Sequence, residues 1–330
     1  MIWLAWRQHR KAGLFAVVGL AVLAAVLIPT GLQMHNAFAD TGLADCLRGL
    51  GQAELVERSA ADTCEPAADA FEKAYQNRIF PAALLVFLPP LAGMFWGAAL
   101  VAREVEHGTH RLVWTQGVTR LRWLLVKVGL VTAGAVMAAA GYALLTSWWL
   151  TPLVQAGTSW LEFPLFDIYG AAPVGYTLFA VALGILAGTM SRKVLPAMTI
   201  TLVGFVAARV AMAIARPRLH APAEQTYPIT ADVTPNRFRG DLVLSEGVYD
   251  EAGNLLEQGG TAFCDAAPAD ELPPPAGPVD GGPGCSGYNA WTYQPGDRFW
   301  LLQYLETGVF VGLAVLLVLL AIYRVRRRIS

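Results

Sequence analysis

The sequence predicts an all-α integral membrane protein with six transmembrane helices, and three observations lead to that prediction. Of the 330 residues, 55% are hydrophobic and only 15% are charged, whereas soluble domains carry about 25% charged residues. Six apolar stretches approach the length of about 20 residues that crosses a bilayer core. Basic residues concentrate in alternate connections between those stretches. This composition excludes a disordered chain and a basic nucleic-acid binder, and it disfavours a soluble enzyme.

The six apolar stretches define the predicted spans, which cover residues 13–34, 80–101, 124–150, 172–190, 195–215 and 299–323. We expect helices because every backbone polar group inside a bilayer must be paired internally. The fourth and fifth spans follow each other so closely that they form a helical hairpin. Residues 1–12 mix tryptophans with basic residues, as a cytoplasmic interfacial amphipathic segment does. A cleaved signal peptide is the alternative for the first span, and its length favours a retained helix.

Orientation follows from the basic residues, most of which lie in four short segments. The basic residues of these four segments are Arg7, Arg10, Lys11, Arg103, Arg111, Arg120, Arg122, Lys127, Arg192, Lys193, Arg324, Arg326, Arg327 and Arg328. The positive-inside rule places both termini in the cytoplasm, together with the loop 102–123 and the basic tail 324–330. Residues 35–79, 151–171 and 216–298 are then extracytoplasmic. Abundant Ala, Gly and Arg beside only four lysines is typical of a GC-rich bacterial genome, which predicts a bacterial inner membrane.

All four cysteines lie in the two larger extracytoplasmic regions. Cys46 and Cys64 are in the first, and Cys264 and Cys285 are in the second. An even number of cysteines on the oxidising side predicts disulfides, and local pairing within each region is the simplest of the three connectivities. A zinc site is the alternative, but no C-x-x-C pair or nearby histidine supports it. Proline and glycine runs predict that the region 216–298 is irregular.

Ionisable residues are almost absent from the centres of the spans. The exceptions are Arg209 in the fifth span and Glu306 in the sixth, each about 10 Å below the outer boundary at a rise of about 1.5 Å per residue. They can form an intramembrane ion pair, in which case reversing both charges should rescue the reversal of one. Separate snorkelling of the two side chains toward the outer surface is the alternative.

This scarcity of intramembrane charges disfavours an ion-coupled carrier and an intramembrane enzyme. The sequence has no G-x-x-x-x-G-K-[ST] nucleotide motif, so any energy from ATP must come from another protein. His107 and His110 have the spacing of metal ligands but lack an acidic or cysteine partner. We therefore predict no catalytic residue, no cofactor and no metal site.

The cytoplasmic loop 102–123 is too long for a tight turn. Gly108 and Gly117 can interrupt its helices, and Thr109 and Thr119 can cap new ones, which leaves a short amphipathic stretch along the surface. An ordinary basic membrane boundary is the alternative explanation of this loop.

The loop resembles that of the permease subunits of the ATP-binding-cassette (ABC) family, specifically the type-2 exporter permeases. The matching elements are Arg103-Glu104, Gly108-Thr109, Thr119-Arg120 and Lys127 at the entry to the next span. The six-span layout and the large insertion before the last span are also similar. The resemblance implies that the loop leads into a coupling helix docked on a separate cytoplasmic ABC ATPase. It assigns that coupling to Arg103, Glu104, Glu106, Gly108, Thr109, Arg111, Thr119, Arg120 and Lys127.

The function implied by this resemblance is that of a transmembrane permease subunit of an ATP-driven exporter. Two permease halves, as a homodimer or with a related subunit, would form the translocation path above two ATPase subunits. The expected partners are the ATPase, the second half and membrane lipid, with no nucleic acid. The alternative function is a non-transporting membrane sensor or scaffold whose extracytoplasmic regions bind a ligand or partner. The small-residue patterns Gly93–Gly97 and Gly184–Gly188 permit close helix packing within one chain or between copies.

Overall fold

The computed structural model of the protein describes residues 2–106, 120–191, 193–264 and 286–328. Its α-helices are α1 (Ile2–Asp40), α2 (Leu43–Leu50), α3 (Arg58–Tyr75), α4 (Ile79–Ala83), α5 (Leu88–Ala92), α6 (Ala99–Glu106), α7 (Arg120–Gln155), α8 (Leu165–Ile168), α9 (Ala172–Met190), α10 (Val194–Leu219) and α11 (Phe299–Arg328). Short 3₁₀ and π turns join α3 to α6, so helical backbone continues from Arg58 to Glu106.

Six helical runs among the described residues are long and apolar enough to cross a membrane. They are Arg10–Asp40, Arg58–Glu104, Leu124–Gln155, Ala172–Met190, Val194–Arg216 and Gly296–Arg326, and we number them spans 1 to 6. In span 1, α1 begins at Ile2 and is continuous with the segment predicted to lie along the interface. Because no proline or paired glycine separates the two parts, the helix has no reason to break there.

Span 4 occupies the centre of the helical bundle. In its most apolar window 67% of the residues are buried, compared with 6% in span 1. Val181 and Ile185 of α9 share one buried cluster with Leu100 of span 2, Leu124 of span 3 and Ala321 of span 6, among others. Span 1 packs along α7 at the periphery, so its large apolar side chains remain mostly exposed.

Glycines allow spans 2 and 4 to approach each other closely. A Cβ added at Gly93 would lie 2.5 Å from the Ala180 carbonyl oxygen, and one at Gly184 would lie 2.6 Å from the Ala98 nitrogen. At Gly188 the distance to the Ala98 carbonyl oxygen would be 2.8 Å. The patterns Gly93–Gly97 and Gly184–Gly188 therefore pack against each other within one chain, as small residues in membrane helices commonly do.

Beyond the spans, the structure contains β-strands, so the description of the chain as all-α holds for its membrane-spanning part only. The strands are β1 (Leu55–Glu57), β2 (Ala223–Pro228), β3 (Val233–Pro235), β4 (Leu242–Tyr249), β5 (Leu255–Gln258) and β6 (Tyr288–Gln294). The last five belong to the region predicted to be irregular. Its densest proline and glycine run, 272–284, lies outside the described residues, whereas the flanking segments carry residues that favour strands.

The strands form two antiparallel sheets at the insertion end of the bundle, by which we mean the end that carries the long connections 41–78, 156–171 and 220–295. The four-stranded sheet has the order β2-β6-β4-β5. Alternate residues of β6, Asn289, Trp291 and Tyr293, are buried, which is the two-residue period of a strand packed on one face. In the second sheet β1 pairs with β3, so the two insertions join into one folded unit.

A disulfide bond joins Cys46 of α2 to Cys64 of α3, with Cα atoms 5.8 Å apart. This pairing is the local one expected for the first insertion. Cys264 is also disulfide-bonded, but its predicted partner Cys285 lies outside the described residues, so the second local pairing stays a prediction.

Candidate functional site

Four charged side chains meet near the insertion end of spans 5 and 6. Glu306 and Arg209, the residues considered as a pair from the sequence, form an ion pair between Oε1 and Nη1. Arg216 contacts Glu306 Oε2 through Nε at 3.1 Å and Nη2 at 3.0 Å. Asp167 Oδ1 lies 2.6 Å from Arg209 Nη2 and 3.4 Å from Arg216 Nη2. We call Asp167, Arg209, Arg216 and Glu306 the insertion-end network.

The insertion-end network is buried and electrically balanced. The carboxylate side chains are 7% and 1% exposed, and the two arginine side chains are 12% and 18% exposed. Two positive and two negative charges cancel, so neither sign is left uncompensated in a medium of low dielectric constant. The Tyr176 hydroxyl donates a hydrogen bond to Glu306 Oε1 at 2.6 Å.

Aromatic rings hold the planes of both guanidinium groups. The Arg209 Cζ atom lies 3.9 Å from the centre of the Tyr176 ring, and the Arg216 Cζ atom lies 3.8 Å from the centre of the Phe166 ring. A cation over an aromatic face is attracted by the ring quadrupole, most strongly where water is excluded. The network therefore combines ion pairs with stacking and fixes the positions of both arginines.

Asp167 reaches the network because the connection between spans 3 and 4 folds back into the bundle. The four residues of α8 are buried, although the sequence predicted a plain extracytoplasmic loop at 151–171. The Gln303 side chain donates to the Phe166 carbonyl and accepts from the Ala172 nitrogen, both at 2.7 Å. The Thr146 hydroxyl donates to the Ile168 carbonyl at 2.7 Å. These bonds satisfy backbone groups that a loop outside the membrane would leave to water.

Sequence reasoning missed Asp167, Arg216 and Tyr176. Arg216 served only to mark the end of a span, and Asp167 fell in a predicted loop. One signal was present, because Asp167 stands between Phe166 and Ile168, and apolar neighbours on both sides are unusual for a solvated acid. Nothing in the sequence could say which way this segment turns.

At the opposite end of the bundle, which we call the basic end, two carboxylates near the end of α6 attach span 2 to other spans. Glu104 forms an ion pair with Lys127 of α7, and the side chain of Lys127 is only 6% exposed. The Val194 backbone nitrogen donates a hydrogen bond to Glu106 Oε2 at 2.9 Å. Because Val194 is the first residue of α10, Glu106 satisfies one of the unpaired N–H groups at that helix start.

Several residues assigned to coupling lie outside the described residues, namely Gly108, Thr109, Arg111 and Thr119. Arg103 is an exposed residue of α6, and Arg120 begins α7. The structure therefore describes the first residues of the loop 102–123, up to Glu106, and its last residues, from Arg120. Both parts lie at the end of a spanning helix. Within the described ranges, no group of three or more His, Cys, Asp or Glu residues could hold a metal ion.

The family model for ABC-2 membrane transporter related proteins matches residues 17–216. This match covers more than half of the chain. The chain belongs to this family. The matched part contains most of span 1, all of spans 2 to 5, the basic-end contacts and three of the four network residues, whereas Glu306 lies beyond it. None of the curated proteins and none of the solved structures matches the chain.

Membership identifies the chain as a multi-pass membrane protein of the ABC-2 permease type. Permeases of this family are generally non-catalytic. Asp167 and the two arginines fall within the part of the chain that the family model covers.

Proposed function

We propose that the chain is the transmembrane permease subunit of an ATP-driven exporter, coupled through the loop 102–123 to a separate cytoplasmic ABC ATPase. A second permease half, either another copy or a related chain, would complete the translocation path. The proposal places the basic end in the cytoplasm and the insertions outside a bacterial inner membrane. The chain would bind and move its cargo without breaking bonds in it.

The observation that carries this proposal is that Glu104 and Glu106, at the start of the loop 102–123, contact two other spans. Glu104 contacts Lys127 of span 3, and Glu106 contacts Val194 at the start of span 5. A push on the loop would therefore act on three helices at once. A loop that served only as a membrane boundary would not need carboxylates that bind neighbouring helices.

The central position of span 4 supports a path shared between two halves. Because α9 is the most buried of the spans, it occupies the place where a path through a single bundle would run. The large exposed apolar faces of spans 1, 5 and 6 are available to lipid or to the second half.

The sensor or scaffold remains the second candidate, and one observation favours it. Strands β1 and β3 unite the two insertions into one folded unit, which is the kind of domain that could bind a ligand or partner without transport. The two functions differ in whether an ATPase binds the basic end.

Co-purification of the tagged chain from a mild detergent extract tests the proposal. We expect an ATPase with a nucleotide motif and without membrane spans to be retained, and Glu104→Lys and Arg120→Glu to weaken its binding and its stimulated ATP hydrolysis. Arg237→Gln is the matched control at the insertion end, where Arg237 pairs with Asp69. Wild-type association and turnover in the Glu104 and Arg120 variants would contradict the coupling assignment.

A further inference from the structure

Helix α10 is fixed to its neighbours by polar contacts at both of its ends. At the basic end, its first backbone nitrogen donates to Glu106 at the end of span 2. At the insertion end, Arg209 and Arg216 bind Asp167 and Glu306. The helix has 26 residues, which corresponds to a length of about 39 Å.

Between these two ends α10 has few obstacles to moving as one body. In its most apolar window only 17% of the residues are buried, and Val203, Val206 and Val210 are exposed. No proline lies between Pro196 and Pro217, and proline is the commonest cause of a helix kink. A displacement at the first turn therefore meets no proline kink before it reaches Arg209 and Arg216.

We propose that α10 transmits movement of the loop 102–123 to the segment 156–171 at the other end of the bundle. Glu106 is the positioning residue that connects the loop to α10, and Arg209 and Arg216 pass the movement to Asp167. This inference rests on the proposed function and adds the route by which an ATPase at the basic end acts on the insertion end.

Asp167 is the receiving residue because of the element that carries it. Glu306, Arg209 and Arg216 lie on spanning helices, whereas Asp167 lies on α8, within the connection between spans 3 and 4. A shift of α10 along its axis changes the distance from both arginines to Asp167. Such a shift would act on α8 and on the hydrogen bonds that hold it to Thr146 of span 3 and Gln303 of span 6.

The contact at the basic end can be removed without changing a charge. Val194→Pro deletes the N–H group that donates to Glu106, and proline is favoured at the first position of a helix. The preceding residue, Lys193, already has the extended backbone that precedes proline, with φ −128° and ψ 145°. Val194→Ala retains the N–H group and is the matched control.

A cysteine in the connection reports on the insertion end. Leu161 is 5% exposed, and none of the described cysteines is free, so Leu161→Cys supplies a defined site for a maleimide. In the purified chain without any partner, we expect Asp167→Asn to accelerate labelling about tenfold by favouring local opening. Should that variant fail to fold, Arg216→Gln weakens the same contact.

The decisive comparison is between the two Val194 variants, each combined with Leu161→Cys. We expect Val194→Pro to accelerate labelling about threefold through loss of local protection, and Val194→Ala to label at the rate of the Leu161→Cys parent. Equal rates in the two variants would overturn the proposal, because the ends of α10 would then be independent.

A second arm separates this inference from the proposed function. With a co-purified ATPase, ATP should change the labelling rate in the Val194→Ala background and not in the Val194→Pro background. If no ATPase binds but Val194→Pro still accelerates labelling, transmission along α10 holds and the exporter assignment fails. If an ATPase binds and hydrolyses ATP while both backgrounds respond equally, the transmission fails and the exporter assignment stands.

Discussion

The two ends of the helical bundle hold their charges in different ways. At the basic end, the carboxylates of Glu104 and Glu106 each bind one neighbouring helix, and Glu106 is exposed. At the insertion end, two acids and two arginines share contacts and are nearly all buried. The exposed contact of Glu106 can be changed by a partner at small cost, whereas separating members of a buried network exposes uncompensated charge. We therefore expect the basic end to receive movement and the insertion-end network to stay paired, so that Asp167 follows α10.

The largest expected effect comes from Arg209→Glu, which places a third acid beside Asp167 and Glu306. Removing one partner of a buried ion pair costs about 3–5 kcal/mol. After heating, we therefore expect size-exclusion chromatography to show no folded peak for this variant. Arg298→Gln, which changes a half-buried arginine that donates to the Ala221 carbonyl at the same end, should remain close to wild type. A folded Arg209→Glu protein would show that the network is dispensable.

The double reversal Arg209→Glu with Glu306→Arg should not restore folding, although the sequence alone suggested that it would. With four charges present, the new glutamate would face Asp167 and the new arginine would face Arg216, at the distances where opposite charges now meet. Rescue by the double reversal would mean that the Arg209–Glu306 pair acts without its two neighbours.

Loss of the disulfide is expected to have the next largest effect, and only at the insertion end. Cys46 and Cys64 are separated by 18 residues, and closing a loop of this size stabilises a region by about 3 kcal/mol in the chain-entropy model. Cys46→Ser with Cys64→Ser should make the first insertion sensitive to protease while the spans stay intact. Equal sensitivity in wild type and variant would indicate that β1–β3 pairing alone holds the insertions.

Between the two ends, Gly184→Ala tests the close packing of spans 2 and 4. A Cβ there would lie 2.6 Å from the Ala98 nitrogen, and overpacking costs about 1–3 kcal/mol, measured as a lower melting temperature in detergent. Gly308→Ala is the matched control, because Gly308 also lies in a G-x-x-x-G pattern but has nothing within 4 Å of an added Cβ. Similar losses in both variants would contradict intramolecular packing as the cause.

A smaller effect is expected from Glu104→Gln at the basic end. The amide keeps a hydrogen-bond acceptor for Lys127, so the variant loses only part of the about 1.5–3 kcal/mol that a hydrogen bond to a charged group contributes. We expect a decrease in melting temperature below that of Arg209→Glu. A larger decrease would reverse the contrast between the two ends.

The smallest expected effect concerns Asp241, near the start of span 6. Its Oδ1 atom accepts a hydrogen bond from the Gly296 nitrogen at 2.6 Å, and burial raises its pKa above the usual 3.8 despite that bond and the nearby Arg239. Because the folded state binds this proton more tightly, its contribution to stability falls as pH rises from 3.8 through the raised pKa.

Asp241→Asn should therefore raise the melting temperature slightly at pH 7 and flatten its dependence on pH just above 3.8. The amide oxygen can still accept from Gly296, so the cap on span 6 is preserved. The melting temperature measured in a pH series checks this, and an unchanged slope would show that Asp241 does not cause the pH dependence.

Particular residues show how far sequence reasoning reached. Arg209 and Glu306 were found because a charge within a long apolar run is costly and therefore conspicuous. Asp167 and Val194 escaped notice for opposite reasons. Asp167 is an ordinary acid in a predicted loop, and the group that matters at Val194 is a backbone nitrogen, which every residue except proline possesses.

The insertions were harder to predict than the spans. In the four-stranded sheet, β6 is the last strand along the chain but lies between β2 and β4, and β1 pairs with a strand of the other insertion. Such pairings depend on which distant segments meet. The proline and glycine run 272–284, on which the prediction of irregular structure rested, lies outside the described residues.

The sequence by itself determined the number of spans, the end of the bundle that carries the basic residues and the absence of a nucleotide motif. These properties depend on composition over windows of about 20 residues, because the bilayer imposes a fixed thickness on any chain that crosses it. Only the tertiary structure decided that four charges form one network, that the two glycine patterns of spans 2 and 4 face each other, and that α10 is bound at both ends. Those facts depend on helix rotation and on the path of short connections, which spacing along the chain does not fix.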